Sequence, residues 1–226
     1  MFSSVFDFII LGAILFVIFR QVFNQQVKVR WKMSRMKTKR IDAVIDGDII
    51  KIVGKAEAAG ELLKAPLSGR PCVAYAINVE RYYQNGENSF WKSVFKEKKL
   101  GDFVITQGMK VAFLNKEHIE NYFVEDSIKT FDKELLLPAD LLEYLKTKGL
   151  ELKNWQIRIK EGVILEKEEV AASGQGYWAV AEDLNLPSNY WRVLELRSYA
   201  RNPVYFSDDS YAKKERLKSN KDVFMG

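Results

Sequence analysis

Residues 8–19 read FIILGAILFVIF, twelve apolar positions without a charge. Apolar residues continue on both sides, at Phe2, Val5 and Phe6 and at Val22 and Phe23. The stretch thus approaches the roughly 20 helical residues that cross a hydrocarbon core. Asp7 and Arg20 fall near the two interfaces, where charge costs far less than at the centre. A buried core helix would show a polar face, and a signal peptide a positive n-region and a small-x-small cleavage site; the run has none of these. Residues 1–23 are therefore expected to form a single uncleaved transmembrane helix.

After residue 40 the period changes. Residues 48–54 and 72–83 alternate as strands do; in the second, Val73, Tyr75, Ile77 and Val79 point one way and Cys72, Ala74, Ala76 and Asn78 the other. Between them, 60–71 is rich in Gly, Pro and Ser and reads as a structured turn. Asn85-Gly86 marks a hairpin into a strand at 89–97. Further strands are expected at 102–107, 109–114 and 120–125, then at 155–162, 163–165, 169–173, 177–181, 190–197 and 203–207. One helix is clear, at 138–148. Pro138 suits its first turn, Asp140 and Lys146 match its dipole, Gly149 follows as its stop, and Leu141, Leu142 and Leu145 share one face. The tail from Asp208 reads as charged and fraying. The pattern predicts a β-rich α+β domain, multi-stranded and mostly antiparallel, over 41–210, with a basic segment at 24–40 before it and a charged tail at 211–226.

Charge separates the parts further. The chain of 226 residues carries a net +5, but residues 20–40 hold eight Lys/Arg and no acid, and the first nineteen residues hold only Asp7. Subtracting both leaves residues 41–226 at −2, without the electrostatic footprint of a nucleic-acid binder. The eight cations, Arg20, Lys28, Arg30, Lys32, Arg35, Lys37, Lys39 and Arg40, all follow the apolar run. The positive-inside rule then places the N-terminus outside and the domain in the cytoplasm, with these residues facing lipid headgroups.

One Cys (Cys72) and one His (His118) rule out an internal disulfide framework and a four-ligand structural zinc site. No cofactor is indicated. Cys72 reads as a buried small hydrophobe, and His118 as a surface or turn residue. Gly174-Gln175-Gly176 lacks the third glycine and the helix of a dinucleotide fingerprint and reads as a tight turn between strands. Glu168-Glu169 and Asp208-Asp209 are adjacent, so on strands each pair splits between faces and makes no acid/base couple. The doublets Tyr82-Tyr83, Tyr177-Trp178 and Tyr190-Trp191 should each send one ring inward and leave one for a protein contact or the membrane interface.

The stretch from Gly47 to Tyr82, through Gly54, Ala65-Pro66-Leu67-Ser68-Gly69, Cys72, Tyr75 and Glu80, resembles the opening of the GIDE/MULAN domain, also called BAM for "beside a membrane". Residues 161–178 and 203–210, with Gly162, Val170 and Gly174, are similar to its closing strands. In eukaryotic relatives this domain sits between two transmembrane helices and precedes a RING finger, which makes an E3 ubiquitin ligase. This chain shows no second apolar span and no RING ligands. The resemblance implies a membrane-adjacent recognition or scaffold domain with a protein partner and no catalysis of its own; the alternative is a subunit of a ligase-like system that acts with another chain. Pro66, Ser68, Arg70, Tyr177 and Tyr190 are the candidate binding residues, with Arg70 at the rim of its loop to meet a carboxylate or phosphate.

Overall fold

The computed structural model describes residues 25–153, 155–187 and 190–214. The expected anchor at 1–23 and most of the tail lie outside the described residues. Among those described, no helix is long and apolar enough to cross a membrane.

In chain order the elements begin with helix α1 (Gln25–Ser34) and strand β1 (Ile49–Ala58). A short pair, β2 (Leu63–Lys64) and β3 (Pro71–Cys72), precedes the long hairpin of β4 (Ala74–Asn85) and β5 (Asn88–Leu100). Next come β6 (Phe103–Gln107), β7 (Lys110–Leu114), β8 (Ile119–Tyr122), β9 (Ser127–Phe131) and helix α2 (Ala139–Thr147). Strands β10 (Ile157–Ile164), β11 (Glu169–Val180), β12 (Arg192–Arg197) and β13 (Val204–Ser207) lead to the short helix α3 (Ser210–Lys213).

Five strands close on themselves. β1 pairs with β6, β6 with β7, β7 with β12, β12 with β11, and β11 returns to β1. All these contacts are antiparallel except β7 with β12. The closed ring leaves those strands few free edges and encloses Ile50, Ile52, Phe103, Ile105, Leu194 and Leu196, all buried. β13 adds to β11 and carries β8 in parallel beyond it. The second sheet runs β5-β4-β10-β9 and is antiparallel throughout. Helix α2 covers one of its faces, with Leu141 and Leu145 set against Ile77, Val79, Ile157 and Ile159. Its other face joins the barrel core at one end, through Ala74, Leu100 and Ile164, and is open beyond it.

Four expectations need correction. The Gly-Gln-Gly at 174–176 is no turn: residues 169–173 and 177–181 fuse through it into the single strand β11. The glycines serve close packing instead. A Cβ on Gly174 would stand 2.8 Å from the Arg197 carbonyl oxygen, and one on Gly176 2.9 Å from Val44 Cγ1. In 72–83 the alternation breaks at Val73, which enters the barrel core while Tyr75, Ile77 and Val79 enter the other, because the chain passes between the sheets there. Residues 163–165 extend β10 rather than forming a strand of their own. The tail does not fray at Asp208: Asp208 and Asp209 are both buried, and the Asp209 carboxylate caps α3 by accepting from Tyr211 N.

Two elements of five residues or more were not expected. β9 carries no strong alternation, and its register against β10 places it at the sheet edge. Residues 25–34, within the basic segment, form α1. Its Val29 and Met33 are fully buried against Ala171, Tyr205 and Ala212, four residues apart on one helix face.

Candidate functional site

The loop with the most specific sequence pattern folds around a carboxylate of its own chain. Gly69 N donates to Ala65 O and Ala65 N to Arg70 O, which closes the turn. That closure aims the Leu67 and Ser68 amides at Glu161 of β10, 2.6 and 3.0 Å from its two carboxylate oxygens. Glu161 is fully buried, and a buried carboxylate requires such donors. Arg70 reaches Asp126 at 3.5 Å and Ser68 Oγ at 3.4 Å, while Asp126 also accepts from Val163 N. The anions near this loop are therefore Glu161 and Asp126. Pro66 is half-buried, and the Ser68 side chain is exposed.

Tyr177 and Tyr190 lie on the barrel. Tyr177 is opposite Glu195 across β11 and β12, with the Arg197 guanidinium 5.2 Å above its ring. Tyr190 packs against a small cluster that includes Val104, Val111 and Val193. Its neighbour Trp191 is 87% exposed and, with Met109, borders a shallow recess of about 420 Å³. The expected split of the doublets holds here, and at Tyr177-Trp178, where Trp178 packs on the barrel core and donates Nε1 to Val44 O. The loop belongs to the core of the second sheet and the tyrosines to the barrel, so the five residues do not gather into one site.

Sequence reasoning missed a ladder of aromatic and arginine side chains near the free end of the β4–β5 hairpin. On one face Tyr82 meets Trp91 at 5.2 Å, and Arg158, ion-paired to Glu80 at 2.6 Å, lies 4.5 Å from the Trp91 ring. On the other, Arg81 stands 4.1 Å from the Trp155 ring and 4.8 Å from Tyr83, which stacks on the half-exposed Phe90. Aromatic rings and arginines held rigid by one another are the composition of binding hot spots. The signal lay in register: Tyr82 faces Trp91 and Tyr83 faces Phe90 only once the hairpin is paired.

A second titratable group ties α2 to its sheet. Tyr75 and Tyr144 each donate to Glu97 Oε1 at 2.7 Å, and Lys148 to Oε2. Burial opposes the Glu97 charge, but these three donors outweigh it and hold the carboxyl below its usual range. Burial and the contact with Glu97 push Tyr75 up to about 12. Cys72 is fully buried, as expected, and burial pushes its thiol up to about 11, away from nucleophilic use. Among the described residues no group of three or more His, Cys, Asp or Glu could hold a metal ion.

The basic segment is folded onto the domain. Lys28 pairs with Glu120 at 2.6 Å, Lys39 with Asp48 at 2.5 Å, Arg40 with Asp42 at 3.0 Å, and Arg30 with Asp209. Lys32 reaches Asn202 at 3.3 Å, and Arg35 lies 3.8 Å from the Trp31 ring. Lys37 is exposed, and Arg20 lies outside the described residues. In comparison with known proteins, no family model, no curated protein and no solved structure matches this chain.

Proposed function

We propose that this chain is a membrane-anchored recognition module, a GIDE-like domain held beside the bilayer to bind a protein partner. The observation that carries the reading is the seating of α1. From Gln25, the first described residue, the helix is locked to the domain by the buried Val29 and Met33 and by the Arg30–Asp209 pair. An anchor at 1–23 would thereby set the domain's orientation as well as its location. Trp31 on the exposed side of α1 and Arg35 just beyond its end are an aromatic and a cation suited to the headgroup level. The partner surface is the aromatic and arginine ladder of the hairpin.

The test uses the full chain in its native membrane. Alkaline carbonate should leave it in the pellet, and labelling should place residues 25–214 on the cytoplasmic side. Release into the supernatant defeats the anchor. Crosslinking in the same membranes should yield an adduct that disappears with Trp91→Ser and persists with Lys92→Ser; an adduct equally strong in both removes the ladder as the partner surface.

A further inference from the structure

The open face of the second sheet is hollowed where it meets β8. Three strands run side by side there, and register sets one row as Lys96 of β5, Asn78 of β4 and Lys160 of β10. The next row on the same face is Lys98, Ala76 and Gly162. Two lysines thus straddle an amide roughly 10 Å apart, two strand spacings, while the third stands above the small pair that forms the floor. Gly162 is required: a Cβ there would overlap the Val124 carbonyl oxygen of the segment crossing the cleft. The result is a cleft of about 410 Å³, walled by Tyr122 and Phe123 and bordered by Gln26 of α1.

Three lysines line it, against two acids, Glu97 and Glu125. Glu97 belongs to the lining, but its carboxylate is bound on the opposite face by Tyr75, Tyr144 and Lys148. Glu125 lies 3.8 Å from Lys160, which also reaches Glu80 at 3.5 Å. Glu120, across from Lys98, is engaged by Lys28. Lys98 donates to the Asn121 carbonyl at 2.5 Å; desolvation there, and then the neighbouring Lys96, lower its ammonium to about 8. The cleft concentrates positive charge on a rigid sheet.

From this geometry we infer that the cleft binds a phosphate-bearing anion through Lys96, Lys98 and Lys160. Compact ammonium groups around a pocket are suited to a polyanion rather than to a single planar carboxylate. The cleft's border at Gln26 is three residues beyond Phe23, the end of the expected anchor, which makes an anionic lipid headgroup the first source of that phosphate. Only the choice of source rests on the membrane reading; the anion site does not.

The full chain in uncharged detergent is titrated calorimetrically with dioctanoyl phosphatidylglycerol, glycerol 3-phosphate, inorganic phosphate and dioctanoylglycerol. The phospholipid should bind, and the Lys96→Gln/Lys98→Gln variant should weaken it about tenfold or more. Lys92→Gln/Lys99→Gln, which removes the same charge from the opposite face, should change it less than about twofold. Lys96→Glu alone should act in the same direction, and Lys96 is exposed. If glycerol 3-phosphate and inorganic phosphate bind as tightly and lose as much in the cleft variant, the site stands and its ligand is a soluble phosphate. Binding of dioctanoylglycerol at the same strength, equal losses in both double variants, or no binding overturns the site. Carbonate release together with intact phosphate binding would defeat the anchor and leave the site standing.

Discussion

Arg30 and Asp209, 179 positions apart, form the contact that fixes the first described helix to the cap of the last: the guanidinium donates through Nε and Nη2 to one carboxylate oxygen. The two ends differ in exposure, 35% for the arginine side chain and 1% for the aspartate. The rings of Tyr211 and Tyr122 lie 4.9 and 5.8 Å from the guanidinium and complete its seat.

That asymmetry predicts unequal losses. Arg30→Ala strands a buried carboxylate and should cost about 3 kcal/mol. Asp209→Asn leaves a cation that can turn to water and keeps the acceptor that caps α3, so it should cost about 1 kcal/mol. Chemical denaturation of the full chain measures both. Equal costs would show that the pair is no more buried at one end than at the other.

Glu161 and Arg70 separate architecture from surface in the 65–70 loop. Glu161→Gln keeps the volume but turns an amide donor toward the Leu67 or Ser68 N–H, and should cost about 2 to 3 kcal/mol with faster amide exchange at both. Arg70→Ala breaks two long, solvent-facing contacts, with Asp126 and Ser68 Oγ, and should stay within about 0.5 kcal/mol. A large loss with Arg70→Ala would mean that its contact with Asp126 holds the loop.

Much of the fold was legible because its strands alternate and its one long-range helix is amphipathic. Helix 138–148 is found at Ala139–Thr147 with Leu141 and Leu145 inward, and most expected strands appear within a few residues. What failed has a common cause. Gly174 and Gly176 look like turn residues along the chain and become packing residues only when the barrel closes over them. α1 looks like a bare run of charge because its partners, Glu120 and Asp209, lie far along the sequence. The lysines of the open face are likewise spread over β5 and β10, and only strand pairing through Asn78 brings them into a row.

Gly162 tests that closure directly. Gly162→Ala forces the new methyl against Val124 O and Phe123 Cβ, backbone and near-backbone atoms that cannot step aside. A loss of about 3 kcal/mol is expected. Gly176→Ala meets the ends of the Val44 and Leu194 side chains, which can rotate, and should cost less. Thermal melts of the two variants in parallel decide it, and the reverse order would contradict the crossing of 123–124 over β10.

The last expectation concerns pH. Asp208 is buried beside β8, where it accepts from Val124 N at 2.9 Å. Burial, reinforced by Glu168 and Asp126, pushes its carboxyl up to about 7 despite that hydrogen bond. In the unfolded chain the same group ionises near about 4. Between those values the unfolded state gains by releasing a proton that the folded state keeps, so stability falls as pH rises from about 4 to 7 and levels off above. Glu97 and Asp48, held below the usual range, give the opposite slope, but only at lower pH, where the unfolded chain takes up their protons. Over pH 5 to 8 Asp208 should therefore dominate, with the full chain losing about 2 to 3 kcal/mol. Asp208→Asn keeps the acceptor for Val124 N and cannot ionise. It should flatten the profile and be more stable than the parent at pH 8 but not at pH 5. Parallel denaturation curves for parent and variant across this range would show instead that Asp208 is already ionised in the folded protein.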